Sequence, residues 1–218
     1  MSAPRLIDGP LLALDTGSPL VSIAVVRRGA VLAERSVELA RSSPALLALI
    51  EEALSSLGLS PRDLAGVVAL RGPGSFTGLR VGLATALGLH QALGLPAAAL
   101  PTLQVLAAAA PPGAARVVAA VDALRGEWFA QPFAGTPPTA LAEPALFSAG
   151  ELAKLGPGAY VGFGLARAAA ALGPETAVLE PGPLAGLAGL LASTQPLDWD
   201  ASALTAPLYL RDPAVAVR

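Results

Sequence analysis

The stretch from Val81 to Ala115 contains no Asp, Glu, Lys or Arg, and it constrains the fold of this chain more than any other feature. An uncharged segment of this length is buried either in a bilayer or in a protein core. Prolines interrupt the segment at Pro96, Pro101, Pro111 and Pro112. Because a proline inside a helix removes a hydrogen bond and clashes with the preceding turn, one membrane-spanning helix is excluded. The stretch predicts several short, buried helices and strands.

Composition narrows the class of protein further. The chain has 218 residues, no cysteine and one histidine, His90. Disulfide frameworks, thiolate metal sites and sites built from paired histidines are therefore excluded. The 14 basic and 16 acidic residues give a net charge of −2, and the basic residues form no cluster of the kind that grips phosphate backbones. We expect a leaderless cytoplasmic protein, without a membrane segment or a metal, that does not bind nucleic acid on its own.

The first half of the chain predicts elements in the order βββαβαβα, which indicates a mixed sheet flanked by helices. Alternating residues from Leu11 to Glu38 predict three antiparallel strands. Helical spacing from Ser43 to Leu57 predicts an amphipathic helix, with Ser42 or Ser43 as its cap. The apolar run from Ala65 to Leu70 predicts a buried strand, and a glycine-rich elbow joins it to a second helix that begins near Phe76 and ends near Leu93.

This plan restarts after Pro112. Arg116 to Val121 predict a strand that ends in Asp122, and Glu127 to Phe133 predict its antiparallel neighbour. Asp15 ends the first strand of the chain in the same way, which indicates a structural duplication. We expect two small α/β domains, residues 1–110 and 111–218. The alternative is that both aspartates are ordinary turn residues.

The elbow between the buried strand and the second helix is a candidate phosphate site, because glycines let the backbone and a helix N-terminus approach an anion. Two aspartates that faced each other across a cleft would suit a hydrated Mg²⁺ at a nucleotide phosphate. The elbow lacks both the Walker A ending and the dinucleotide spacing, so a plain strand-to-helix turn is favoured over a phosphate site. The residues of this candidate site are Asp15, Thr16, Gly72, Gly74, Ser75, Arg80 and Asp122.

The two helices of the first half carry more apolar surface than one face of a sheet can cover. The second cover is either a partner protein or a further layer of this chain, and the pattern alone leaves both open. His90 is either a packed or an interface histidine. The candidate partner-binding residues are Leu46, Leu47, Ile50, Leu54, Leu79, Leu83, Leu87 and His90.

The elbow segment from Arg71 to Gly82, RGPGSFTGLRVG, closely resembles the TsaB (YeaZ) family. The resemblance extends over most of the chain, and includes Leu14-Asp15-Thr16, the Asp122-Ala123-x-Arg125-Gly126-Glu127 segment, and Pro207-x-Tyr209-Leu210-Arg211 near the end. It implies a duplicated actin-like, Hsp70-like (ASKHA) fold.

The resemblance also implies a role. Proteins of this family resemble a non-catalytic scaffold that activates TsaD. TsaD is the subunit that transfers threonylcarbamoyl to N6 of adenosine 37 in tRNA, and the ATPase TsaE is a further partner. The resemblance also implies that the protein pairs with TsaD through its first two helices and forms homodimers when TsaD is absent. It further implies that the protein has no cofactor and contacts tRNA only indirectly.

The chain departs from the family where many members have a histidine at the start of the first helix, because Ser42 stands there. A metal held by a histidine at that position is thereby excluded. The rival hypothesis is a small actin-like ATPase or phosphotransferase that uses Asp15 and Asp122. A peptidase is disfavoured, because the chain has no cysteine and no histidine beside a serine.

Overall fold

A computed structural model of the chain describes residues 4–38 and 45–209. The first sheet holds five strands in the order β3-β2-β1-β4-β5. Strand β1 is antiparallel to β2 and parallel to β4, and β4 is parallel to β5. The strands and helices of this half are β1 (Leu11–Asp15), β2 (Leu20–Arg27), β3 (Ala30–Glu38), α1 (Ala45–Ser56), β4 (Gly66–Leu70), α2 (Phe76–Leu93), β5 (Ala97–Leu100) and α3 (Thr102–Ala108).

The second half repeats this plan. Strand β6 is antiparallel to β7 and parallel to β10, β9 pairs with β7, and β11 pairs with β10. The order β9-β7-β6-β10-β11 therefore mirrors the first sheet, and β8 is a short addition beside β7. The elements are β6 (Arg116–Asp122), β7 (Glu127–Ala134), β8 (Thr139–Ala140), β9 (Ala145–Ser148), α4 (Ala149–Ala153), β10 (Ala159–Phe163), α5 (Ala169–Leu172), β11 (Ala177–Leu179) and α6 (Ala185–Thr194).

Three hydrophobic clusters arrange these elements in layers. Helices α1 and α2 cover the outer face of the first sheet, and α4 and α5 cover the outer face of the second. Helices α3 and α6 lie between the sheets, where α3 contacts β6 and α6 contacts β1 and β2. Each half thus has its own sheet while its last helix packs on the sheet of the other half. The division into domains 1–110 and 111–218 stays a prediction.

Several expectations from the sequence can be compared with the structure. The duplication and the mixed, helix-flanked sheets are present. After β10, the chain forms a 3₁₀ turn, Leu165–Ala168, followed by the single turn of α5. The expected caps Ser42 and Ser43 lie outside the described residues. Among the helices of residues 4–38 and 45–209, none combines the length and the apolar character that crossing a membrane requires.

Candidate functional site

The glycine-rich elbow joins β4 to α2 at the carboxyl edge of the first sheet. Ser75 caps α2, because its hydroxyl oxygen accepts a hydrogen bond from the Gly78 N–H at 3.2 Å. Gly72 has φ of 105°, a conformation that favours glycine. The elbow therefore turns the chain sharply and starts an 18-residue helix whose first N–H groups are partly satisfied by its own cap.

The glycines of the elbow press α2 onto the turn between β1 and β2. A Cβ atom at Gly78 would overlap the Thr16 carbonyl oxygen, and one at Gly82 would overlap the Thr16 hydroxyl. A Cβ atom at Gly74 would lie 2.7 Å from the Gly17 carbonyl oxygen. That carbonyl also accepts a hydrogen bond from the Ser75 N–H at 2.8 Å. Gly74, Gly78 and Gly82 are four residues apart, so all three lie on the side of the elbow and α2 that contacts the turn after β1. The backbone of that turn fills this side of the elbow.

Asp15 lies beneath that contact and is fully buried. Its Oδ1 accepts hydrogen bonds from the Gly17 N–H at 3.0 Å and the Ser18 N–H at 3.3 Å. Its Oδ2 has no hydrogen-bond partner among the described residues. Burial raises the pKa of Asp15 to about 6, although the Ser18 side chain and the two backbone N–H groups oppose the shift. Asp15 therefore shapes the turn that supports α2, and Thr16 is buried beside it.

Other side chains at this edge, those of Arg71 and Thr102 among them, also have a buried polar atom without a hydrogen-bond partner in the described part of the chain. Arg71 follows β4 and Thr102 follows β5, and the Arg71 Nε and Thr102 Oγ1 atoms are both buried. Because β1, β4 and β5 are parallel, their carboxyl ends lie at one edge of the sheet. The sequence analysis did not single out Arg71 or Thr102 as polar site residues. The run of parallel strand ends was the signal that could have found them.

Asp122 occupies a different environment from Asp15. Its carboxylate forms an ion pair with Arg167, and its Oδ1 accepts a hydrogen bond from the Leu124 N–H at 2.8 Å. Side chains alternate between the two faces of a strand, and Asp15 lies on the face of β1 that packs against the cluster between the sheets. The last residue of β6 on the corresponding face is Val121. Asp122 is one position further along, and contacts the outer layer of the second sheet. The structure does not bring the two aspartates together.

Arg80 is exposed in the first turns of α2 and contacts two aromatic side chains. Its guanidinium lies 3.8 Å from the centroid of the Phe76 ring, and its Nε donates to the Tyr209 hydroxyl at 3.1 Å. The Phe76 and Tyr209 rings lie 5.1 Å apart. Residues 206–209, here called the C-terminal strap, are held at the elbow because the Leu208 N–H donates to the Arg71 carbonyl oxygen at 2.7 Å. Arg80 anchors this strap.

The burial of the expected partner-binding residues corrects part of the sequence interpretation. Most of them belong to the hydrophobic core of the first half, because their helical stripe faces the sheet. An inward-facing side chain is not available to a partner. The buried members of the set are Leu46, Ile50, Leu54, Leu79 and Leu83.

The remaining members stay accessible. Leu47 is 67% exposed, and Leu87 and His90 are half-buried. The Nδ1 atom of His90 lies 2.6 Å from the Leu95 carbonyl oxygen, so His90 is a packed residue at the end of α2. Beside Leu87, a groove of about 440 Å³ separates α2 from the C-terminal strap. Its lining consists of Arg80, Leu83, Ala84, Leu87, Leu204, Thr205, Pro207 and Tyr209.

The repeated strand order defines the class of protein. Two sheets of the same order, each flanked by helices, make a duplicated actin-like ATPase fold. A solved structure of the activator of 2-hydroxyisocaproyl-CoA dehydratase from Clostridium difficile, with bound ADPNP, shares this fold. It has a TM-score of 0.53 at 11% identity, and the alignment covers 84% of this chain and 94% of that one.

The family follows from closer matches. Residues 38–176 match the family described as TsaD, tRNA N6-adenosine threonylcarbamoyltransferase. YeaZ from Pseudomonas aeruginosa is 26% identical with a TM-score of 0.72, over 85% of this chain and 90% of that chain. An Escherichia coli (strain K12) protein named tRNA threonylcarbamoyladenosine biosynthesis protein TsaB is 36% identical over 119 residues. The chain belongs to this family, and within it to the TsaB (YeaZ) group.

The length of the sequence match is limited. The alignment with the Escherichia coli relative covers 54% of this chain, and the chain spans about half, 52%, of that relative.

Proposed function

We propose that this protein takes part in the biosynthesis of threonylcarbamoyladenosine in tRNA, as a non-catalytic subunit that binds and activates a TsaD-like catalytic subunit. A TsaE-like ATPase belongs to the same assembly, the protein forms homodimers when it is alone, and it meets tRNA only through its partners. The family, the name of the Escherichia coli relative and the surface of α2 support this proposal.

One observation carries the proposal, the uncharged outer face of α2. Beyond Arg80, the exposed positions of the helix are Ala84, Gly88, Gln91 and Ala92. Solvent-facing sides of helices ordinarily carry charged side chains. Small uncharged side chains let another helix approach closely, and the exposed Leu47 on α1 adds an apolar contact on the same side of the sheet. This face suits a partner helix better than it suits water.

The test places one charge on that face. Ala84→Arg inserts a long cation at an exposed position of α2, so the monomer should keep its melting temperature while affinity for the TsaD-like subunit falls at least tenfold. Leu47→Arg should act in the same direction on α1. Leu46→Arg and Leu83→Arg are unsuitable, because both side chains are core residues and a buried unpaired cation unfolds the protein.

A matched control lies in the second half. Ala170 is an exposed alanine of α5, so Ala170→Arg changes the charge equally but lies on the outer layer of the other sheet. Calorimetry measures the affinity for the TsaD-like subunit, and the tRNA of cells that carry only the variant is analysed for threonylcarbamoyladenosine. Full affinity and full modification with both Ala84→Arg and Leu47→Arg would overturn the proposal.

A nucleotide site is the second candidate, favoured by the unpartnered Oδ2 of Asp15 and Oγ1 of Thr102 at the carboxyl edge. The packing of the elbow onto Thr16 and Gly17 gives it less support, because the chain's own backbone fills this side of the elbow. Calorimetry with Mg-ATP on the isolated protein decides between the two. Micromolar binding that Asp15→Ala abolishes would favour the ATPase.

A further inference from the structure

A cavity of about 560 Å³ lies where the two halves of the chain are joined, far along the sequence from the elbow. Three of its walls are the end of α3, the connecting segment 109–115 and α6, and the fourth is the turn between β7 and β8. We call it the junction cavity. It is lined by Ala107, Ala108, Ala110, Pro111, Pro112, Gly113, Ala114, Val117, Gly135, Thr136, Pro137, Pro138, Leu187, Leu190, Leu191, Thr194 and Gln195.

The lining of the junction cavity contains no charged side chain. Its volume lies in the range of about 300–1,000 Å³ that is usual for small-molecule sites. The side-chain amide of Gln195 has no hydrogen-bond partner among the described residues, whereas the Thr194 hydroxyl donates to the Leu190 carbonyl oxygen at 2.7 Å. A largely apolar pocket that is open on one side, with the Gln195 amide and the Thr136 hydroxyl at its rim, can orient a neutral molecule. A charged molecule would find no counter-charge there to offset the hydration that it gives up on the apolar walls.

Much of the cavity wall is formed by residues whose side chains cannot rotate inward. Alanines and glycines make up much of its lining, and such side chains have no atoms that could swing inward. Two pairs of prolines, Pro111-Pro112 and Pro137-Pro138, fix the backbone of two of its walls. A ligand therefore finds the site ready and displaces only water, which favours tight binding for its size.

We propose that the junction cavity binds a small, uncharged and largely apolar molecule, which contacts α3, α6 and the turn between β7 and β8 at once. Because these walls come from both halves of the chain, such a ligand stabilises the arrangement of the halves. A ligand that binds only the folded state raises its stability as its concentration rises above the dissociation constant. This site is separate from the outer face of α2 and does not depend on the proposed function.

The experiment uses the neutral fluorescent probe N-phenyl-1-naphthylamine on the full chain. We expect saturable enhancement of its emission with one molecule bound per chain, and at least tenfold weaker binding of the sulfonated analogue 8-anilinonaphthalene-1-sulfonate. Two filling variants, Ala108→Phe and Thr136→Trp, should each weaken binding of the neutral probe at least tenfold. Thr136 is exposed at the rim, so its variant stays folded even where Ala108→Phe does not.

Thr139→Trp is the matched control, because Thr139 is an exposed threonine of β8 that does not line the cavity. It should bind the probe as the unaltered chain does. Failure of the neutral probe to bind, equal binding of the sulfonated analogue, or unchanged binding by Thr136→Trp would each overturn the proposal. Sedimentation is measured in parallel, and a dimer that Thr136→Trp dissociates would show that the cavity is a contact between copies instead of a ligand site.

Discussion

The two halves of the molecule repeat one strand order but differ at the carboxyl edges of their sheets. In the first half, the turn after β1 lies under the elbow, and Asp15 is fully buried. In the second half, the turn after β6 is open, with Leu124 66% exposed and Asp122 paired with Arg167 at the surface.

The helices that follow the two edges also differ, because the helix at the closely packed first edge is much longer. The first edge starts the long α2, whereas the equivalent position of the second half has a 3₁₀ turn and the four residues of α5. The comparison teaches that a duplicated sheet leaves its loops free to diverge. Close packing at the first edge holds a long helix in position, and the second edge carries no comparable helix.

The largest effect should come from removing the close contact at the first edge. Gly78→Ala places a Cβ atom against the Thr16 carbonyl oxygen, which is backbone and cannot move aside cheaply. We expect a loss of about 3 kcal/mol or more in the free energy of unfolding, measured by urea denaturation.

Gly88→Ala is the control on the same helix. A Cβ atom at Gly88 meets nothing within 4 Å, so alanine should stabilise the protein by about 0.5–1 kcal/mol through its higher helix propensity. Equal effects of the two substitutions would show that the elbow glycines do not hold α2 against the turn.

The next effect concerns the two aspartates. The pKa of Asp15 is raised to about 6 by burial, so between about pH 4 and pH 6 the folded protein holds a proton that the unfolded chain releases. The stability contributed by the protonated carboxyl is therefore complete below pH 4 and is lost as the pH rises through 6. Asp15→Asn should remove this loss, and stabilise the protein at pH 8 by up to roughly 3 kcal/mol while changing little at pH 4.

Asp122→Asn provides the comparison from the second half. It removes an ion pair whose Arg167 partner is 54% exposed while an amide keeps the hydrogen bond from the Leu124 N–H, so the stability should fall by less than about 1 kcal/mol. Thermal unfolding of both variants from pH 4 to pH 8 measures the difference. A parallel pH dependence for the unaltered chain and Asp15→Asn would contradict the burial of an ionisable Asp15.

The order of strands and helices along the first half of the chain could be predicted from the sequence, because alternation and apolar runs report burial directly. Helical periodicity was less informative, since it identifies an apolar stripe without saying what covers it. Leu46, Ile50 and Leu54 form such a stripe and face the sheet, while the adjacent Leu47 faces outward. The relation between Asp15 and Asp122 depends on strand register, where an offset of one residue moves a side chain to the other face. Sequence spacing alone does not report that offset.

The smallest effect concerns the open turn of the second half. Leu124 has φ of 65°, a left-handed conformation that costs an ordinary residue about 1–2 kcal/mol. Leu124→Gly removes that cost but adds conformational freedom to the unfolded chain, so a net gain of about 0.5–1 kcal/mol is expected. Leu141 is 51% exposed and has no positive φ, so Leu141→Gly should instead destabilise the protein by about 0.5–1 kcal/mol. Urea denaturation measures the change in the free energy of unfolding for both variants. Changes of opposite sign would require strain at Leu124. Equal losses of stability would mean that the backbone at Leu124 is no more strained than the backbone at Leu141.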